Sequence, residues 1–229
     1  QMTQYLIETA ILGRFCGPLC EAMGLPGADP DPSTYGINGW DFIAWLKKDN
    51  LFLIPLDPQN RWFRYHHLFQ RLLYNQLIRH RRAGEIKSLH TRASAWYFEN
   101  DLIEEGLQHA LAAGDAKTAS SVVARLGPQL MDEQNWQRLE RWLRLLPRDQ
   151  VEQDPELLLL ETWLYHLRHD YSNQMASHKK IEALAASTPP NPLFSAKHIQ
   201  GQLDALRGMR HYNDADGQNA LTYFQRACE

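Results

Sequence analysis

Between Leu51 and Leu73 the chain reads LFLIPLDPQNRWFRYHHLFQRLL, and within that stretch the apolar period changes from two to four. Phe52, Ile54 and Leu56 alternate with their neighbours, as do Trp62 and Arg64 against Phe63 and Tyr65, which predicts two strands. Asp57-Pro58-Gln59-Asn60 lies between them. It supplies a fixed proline dihedral and two side chains that tolerate turn geometry, so a short hairpin is expected. After His66 the apolar residues are Phe69, Leu73 and Leu77, with Leu68 and Leu72 beside them, so a helix is expected to start there. A hairpin joined directly to a helix constrains the chain more than any other feature. Whatever precedes it must complete one small domain, and whatever follows must be organised by that helix.

What precedes it reads as three helices. Ile7, Ile11 and Phe15 at spacing four, with Thr3 as a cap, predict a first helix over residues 3–15. Gly17-Pro18 ends it and starts a short helix to Met23. LPGADPDPSTYGING is a loop by composition. Asn38 is placed to cap a third helix with Phe42, Ile43 and Leu46 inward, ending at Asp49-Asn50. Three helices and a hairpin, in that order, describe a winged-helix domain.

From Gly84 onward only helical periods are found, grouped on Leu89, Ala93, Trp96 and Tyr97, then Ile103, Leu107 and Ala110, then Ala119, Val122, Val123 and Leu126. Breaks at Glu99-Asn100-Asp101, Gly114-Asp115 and Asp170-Tyr171 are short, which forces neighbouring helices antiparallel. Pro128, Pro147, Pro155 and Pro189-Pro190 sit where helices could begin or stop. The spacing of Gly208, Ala220, Phe224 and Ala227 resembles the late offsets of the tetratricopeptide pattern, although the intervals exceed its usual length of about 34 residues. The expected fold class is therefore mainly α. A winged-helix domain with one β-hairpin (1–82, with its linking helix) is followed by a tetratricopeptide-like array of antiparallel helix pairs (83–229), truncated at its C-terminus.

Charge narrows the partners. The formal net charge is -3, yet residues 61–100 hold eight Lys/Arg against two Asp/Glu, while the segments before and after are acidic. Such a centre serves either an anion or nucleic-acid surface, or packing against acidic neighbours in the same chain; the second is favoured. Three cysteines (Cys16, Cys20, Cys228) are an odd number and too few to staple 229 residues, which points to a reducing, cytoplasmic setting. No run approaches the length of a membrane span. The chain starts at Gln1 and stops inside ALTYFQRACE, so a piece of something longer is expected.

NLFLIPLDPQNRWFRYHHLFQRLLYNQL, followed by LHTRASAWYFENDLIEEGLQHALAAGDAKTA, resembles the middle of the large ATP-binding LuxR-type transcriptional regulators of the MalT-like group, a STAND class of ATPases. ILGRFCGPLCEAM is similar too. The resemblance covers residues 3–150, and beyond that only a general helical-repeat likeness remains. It implies an N-terminal nucleotide-binding module, a winged helix, a helical-repeat sensor for an inducer and a C-terminal helix-turn-helix that binds DNA. This sequence departs from that plan. It has no Gly-x4-Gly-Lys-Ser/Thr loop and no DNA-binding end domain, so it carries no catalytic residues and holds no cofactor itself. ATP or ADP would belong to the absent module, which is the expected partner within the same chain.

The resemblance also implies a role for one histidine. In the motif Tyr65-His66-His67-Leu68-Phe69, His66 matches the winged-helix histidine that contacts the ADP phosphate and keeps the resting state closed. Tyr65 and His67 are its motif neighbours, and His67 falls where the pattern varies. The alternative for His66 is a helix cap or a gap filler beside Tyr65. Arg79-His80-Arg81-Arg82 with Lys87 reads either as a nucleic-acid patch or as solvated cations at a helix C-terminus. Lys47 and Lys48 on the third helix are offset by Asp41 and Asp49, a poor balance for a phosphate backbone. Cys16 and Cys20 could hold a metal with His66 and His67, but buried thiols are favoured. His166 and His169 share a helical face without an acidic motif. The aromatic residues after Trp96, including Trp136, Trp142, Trp163, Tyr165, Tyr171, Tyr212 and Tyr223, serve mostly packing, with a minority available to line a groove; no inducer site can be placed. Two functions follow: a regulatory fragment of an ATP-dependent activator, or a protein-interaction scaffold without nucleotide or inducer. Direct DNA binding ranks below both.

Overall fold

The computed structural model describes residues 2–24, 38–187 and 196–228. The chain divides into two compact units, 1–115 and 116–229.

The first unit opens with α1 (Met2–Glu8) and a 3-10 turn (Thr9–Ile11). The helix expected over residues 3–15 is therefore shorter, and Thr3 lies within it. Thr9 Oγ1 bonds back to the carbonyls of Tyr5 and Leu6, which tightens the last turn, and Leu12 is extended. Phe15 then exchanges two backbone hydrogen bonds with Phe63, at 2.8 and 2.9 Å, as an isolated antiparallel bridge.

Next come α2 (Gly17–Ala22), with Pro18 in its first turn, and α3 (Gly39–Lys48). Asn38 caps α3 as expected, its side-chain oxygen accepting from Trp40 and Asp41, a contribution of about 1 kcal/mol. Helices α2 and α3 meet backbone to backbone. A Cβ on Gly39 would fall on the Gly17 carbonyl, so this crossing admits only glycine. The expected 25–37 part of the loop lies outside the described residues.

The hairpin forms where the period predicted it: β1 (Leu53–Pro55) pairs antiparallel with β2 (Phe63–Tyr65), Leu53 opposite Tyr65. Asp57 accepts the backbone N–H groups of Arg61 and Trp62 and so closes the turn from inside. Phe63 and Tyr65 of β2 are fully buried, with the Phe15 and Tyr65 rings 4.7 Å apart. The expected helix follows as α4 (His67–His80), burying Leu73 and Leu77 while Leu68 and Leu72 face outward. Then come α5 (Ala83–Glu99) and α6 (Ile103–Ala112). Leu89, Ala93 and Tyr97 of α5 enter the same core as Phe15, Phe42 and Phe63, so this packing unit runs past residue 82.

The second unit is made of α7 (Ala116–Asp132), α8 (Trp136–Leu145), α9 (Arg148–Gln153), α10 (Pro155–Leu167), α11 (Tyr171–Ser187), α12 (Ala196–Asn213) and α13 (Gly217–Ala227). Trp142, Leu157, Leu158, Ile181 and Leu206 are among its buried residues. Pro147 and Pro155 sit at helix starts as expected, but Pro128 lies inside α7, where the chain continues helical for another turn.

One local device repeats along the chain. After α5, α6, α7, α10 and α12 a single residue takes the left-handed conformation: Asp101, Gly114, Gln134, His169 and Ala215. The next N–H then donates to the carbonyl five residues back, at 2.8 to 2.9 Å. That Schellman closure satisfies the orphan carbonyls and turns the chain within three residues. Asp170 and Asp216, which follow two of these residues, each accept an N–H three positions on, so one residue pair ends one helix and starts the next. His169 is thus a turn residue and does not share a helical face with His166.

Candidate functional site

The hairpin fixes the position of His66. Tyr65 before it is anchored in the core, its hydroxyl 2.8 Å from Thr9 Oγ1, and burial pushes the phenol pKa well up. Thr9 already donates to backbone carbonyls, so the Tyr65 O–H is the donor of this pair. The backbone N–H of His66 donates to the Phe52 carbonyl (2.8 Å), and its own carbonyl accepts from Gln70 (2.9 Å). The backbone is held on both sides while the half-buried ring stands at the first turn of α4.

That ring makes no capping hydrogen bond. Its aromatic neighbour is His67, ring centroids 4.4 Å apart, and His67 is exposed. The capping alternative therefore lacks its hydrogen bond. The first turn of α4 carries no acidic residue, and helix geometry leaves its leading N–H groups without intrahelical partners. Phe52, beside His66, has φ of 50° and is 63% exposed; Leu68 is equally exposed. A bulky residue held in the left-handed region is strained, and such strain gathers at functional margins. The edge is polar at its centre and apolar around it.

The other sequence candidates fall elsewhere. Arg81 is spent on the buried carboxylate of Glu8 and on Glu85, and Arg92 on the Gly24 carbonyl, so the basic centre is partly compensated within the chain; Arg14 outside it pairs with Glu105. Lys47 lies 4.5 Å above the Phe63 ring. Cys16 and Cys20 are buried with thiol pKa values raised by burial, and among the described residues no group of three His, Cys, Asp or Glu could hold a metal ion. No helix among the described residues is long and apolar enough to cross a membrane.

Two histidines escaped the sequence reading. His109 is buried beside His90, Nδ1 to Nδ1 2.9 Å, and stacks on Tyr97. Burial, then the His90 charge, lowers its pKa to about 4. His178 in the second unit is also lowered to about 4, first by burial and then by Arg207. His109 lies inside the HALAAGD string but has no spacing signal, and Arg207, Arg210 and Tyr223, which share the cleft with His178, are about 30 to 45 residues away in sequence.

Three helices, a hairpin closing on the segment between the first two, and helix pairs behind it define a winged-helix domain joined to helical repeats. Residues 1–85 match the MalT winged helix domain, and the chain resembles a part of the MalT regulators. The HTH-type transcriptional regulator MalT of Klebsiella pneumoniae subsp. pneumoniae is 30% identical over 183 residues, 80% of this chain. Its counterpart in Klebsiella pneumoniae strain 342 matches to the same extent. The chain spans 20% of the length of these relatives.

Proposed function

We propose that this chain is the non-catalytic regulatory part of a cytoplasmic, MalT-like, ATP-dependent transcriptional activator. The unit of residues 1–115 acts as the clamp and that of residues 116–229 as a tetratricopeptide-like sensor of an inducer or partner. His66 bonds the ADP phosphate on the N-terminal nucleotide module of the same protein and holds the resting state closed. DNA is reached through another domain.

The observation that carries this reading is the His66 ring, held at the start of a 14-residue helix without a capping bond. A helix N-terminus favours an anion, and a histidine N–H there adds a donor to a charged phosphate oxygen. The exposed Phe52, Leu68 and Leu72 around it suit a docked protein surface better than a phosphate backbone. His66→Ala in the intact protein is expected to speed ADP release roughly tenfold or more and to raise basal transcription, the loss of one charge-assisted bond. Unchanged ADP release would overturn the clamp.

A further inference from the structure

In the second unit α11 packs on α10 and α12 packs on α13, which leaves a cleft of about 240 Å³ between α11 and the α12/α13 pair. Its floor is apolar, since Leu206 is fully buried there. Three cations, Lys179, Arg207 and Arg210, and one carboxylate, Glu182, line it. These cations are not equivalent. Arg207 is held by Glu182 and by buried Asp204 at 3.0 Å, so its charge is balanced. Arg210 reaches only the exposed Asp214, at 3.8 Å, and Lys179 has no ion pair among the described residues.

A second, independent feature lies deeper in the same cleft. His178 lines it and is 91% buried, and its Nε2, itself closed to solvent, has no hydrogen-bond partner among the described residues. The ring is neutral at pH 7, because burial and the facing Arg207 and Arg210 outweigh Glu182 and Asp204. A buried polar atom left unpaired costs about 1–3 kcal/mol, which a small turn of the ring toward a polar ligand in the cleft would recover. Opposite stands Tyr223, its ring stacked on His211 (5.3 Å, 12°) with the Arg207 guanidinium 5.9 Å from its centroid. A flat, cation-backed wall of this kind favours a planar or ring-shaped ligand.

We propose that this cleft binds a small organic anion, its carboxylate or phosphate held by Lys179 and Arg210 and its ring hydroxyl by His178 Nε2. The cleft holds the liquid volume of about eight water molecules, which sets the ligand at metabolite size. The inference deepens the sensing role proposed above by naming the class of inducer and the residues that read it.

The test uses the 229-residue chain with imidazole ¹⁵N spectra of His178 and calorimetry. The probes are inorganic phosphate, glucose 6-phosphate and 4-hydroxybenzoate, up to about 10 mM, with glucose and phenol as neutral controls. The expected result is that at least one organic anion shifts the His178 ring nitrogens, and that the double variant Lys179→Gln/Arg210→Gln weakens this binding tenfold or more. Both substituted side chains lie at the rim. No shift from any probe, an equal shift from the neutral controls, or unaltered binding by the double variant would overturn the site. Anion binding that leaves nucleotide exchange in the intact protein unchanged would uphold the site and sink the sensing role. Failure of the His66 clamp would leave the site untouched.

Discussion

His109 and His178 are pushed down to about 4 by the same cause, yet they end in opposite hydrogen-bonding states. His109 belongs to the first unit, where His90 answers its Nδ1 and Tyr97 covers its face. His178 belongs to the second, where it lines a cleft and its buried Nε2 has no partner among the described residues. A lowered histidine pKa therefore reports burial, and only the fate of the ring nitrogens separates a core histidine from one that awaits a ligand. The same contrast extends outward. Arg81, Arg14 and Arg92 of the first unit are turned onto Glu8, Glu105 and the Gly24 carbonyl, whereas two of the three cations in the α11–α13 cleft keep their charge available.

Substitutions can break that contrast. The largest effect is expected at Gly39, where a methyl group collides with backbone that cannot yield. Gly39→Ala should cost more than about 3 kcal/mol in urea denaturation. Gly208→Ala in the second unit meets the Phe224 ring, which can rotate, and should cost about 1 kcal/mol; equal costs would deny that the Gly39 crossing is closed by backbone.

Acid comes next. His109 titrates near 4 folded and near 6.5 unfolded, so above pH 6.5 neither state is charged and there is no effect. Between pH 6.5 and 4 the unfolded state takes up the proton first, and stability falls as pH drops, by up to about 3 kcal/mol. Because carboxylates also titrate in this range, the measurement is the difference between the native chain and His109→Leu at pH 7 and pH 4. The native chain should lose more. A difference that does not change with pH would mean that His109 is not held neutral.

Arg81→Met strands the buried Glu8 carboxylate and should cost about 2 kcal/mol. Its counterpart in the second unit, Arg144→Met, breaks a pair whose arginine is 74% exposed and should stay within about 0.5 kcal/mol. Tyr65→Phe should cost about 1 kcal/mol, because Thr9 keeps its backbone acceptors when the phenol is removed.

Much of the fold was legible because period and punctuation act locally. The change of period at His66, the Asn38 cap and the breaks at Asp101 and Gly114 were all readable from neighbouring residues. The end of the first helix was not. The Phe15–Phe63 bridge that draws the chain out of the helix depends on a strand 48 residues downstream, and periodicity carries no such pairing. Pro128 misled for a similar reason, since tertiary packing of Gly127 against Leu160 holds α7 helical through it. Of the candidate sites, His66 was legible through its motif. The His178 cleft draws on three helices and has no motif, so only the assembled structure brings it together.

The contrast between the two units is tested most directly by titrating the ring nitrogens of His109 and His178 in one sample, with and without glucose 6-phosphate. If the first unit is closed and the second holds an anion site, His178 should shift on addition and its pKa should rise, while His109 stays near 4. Equal responses from both rings, or none from either, would contradict it.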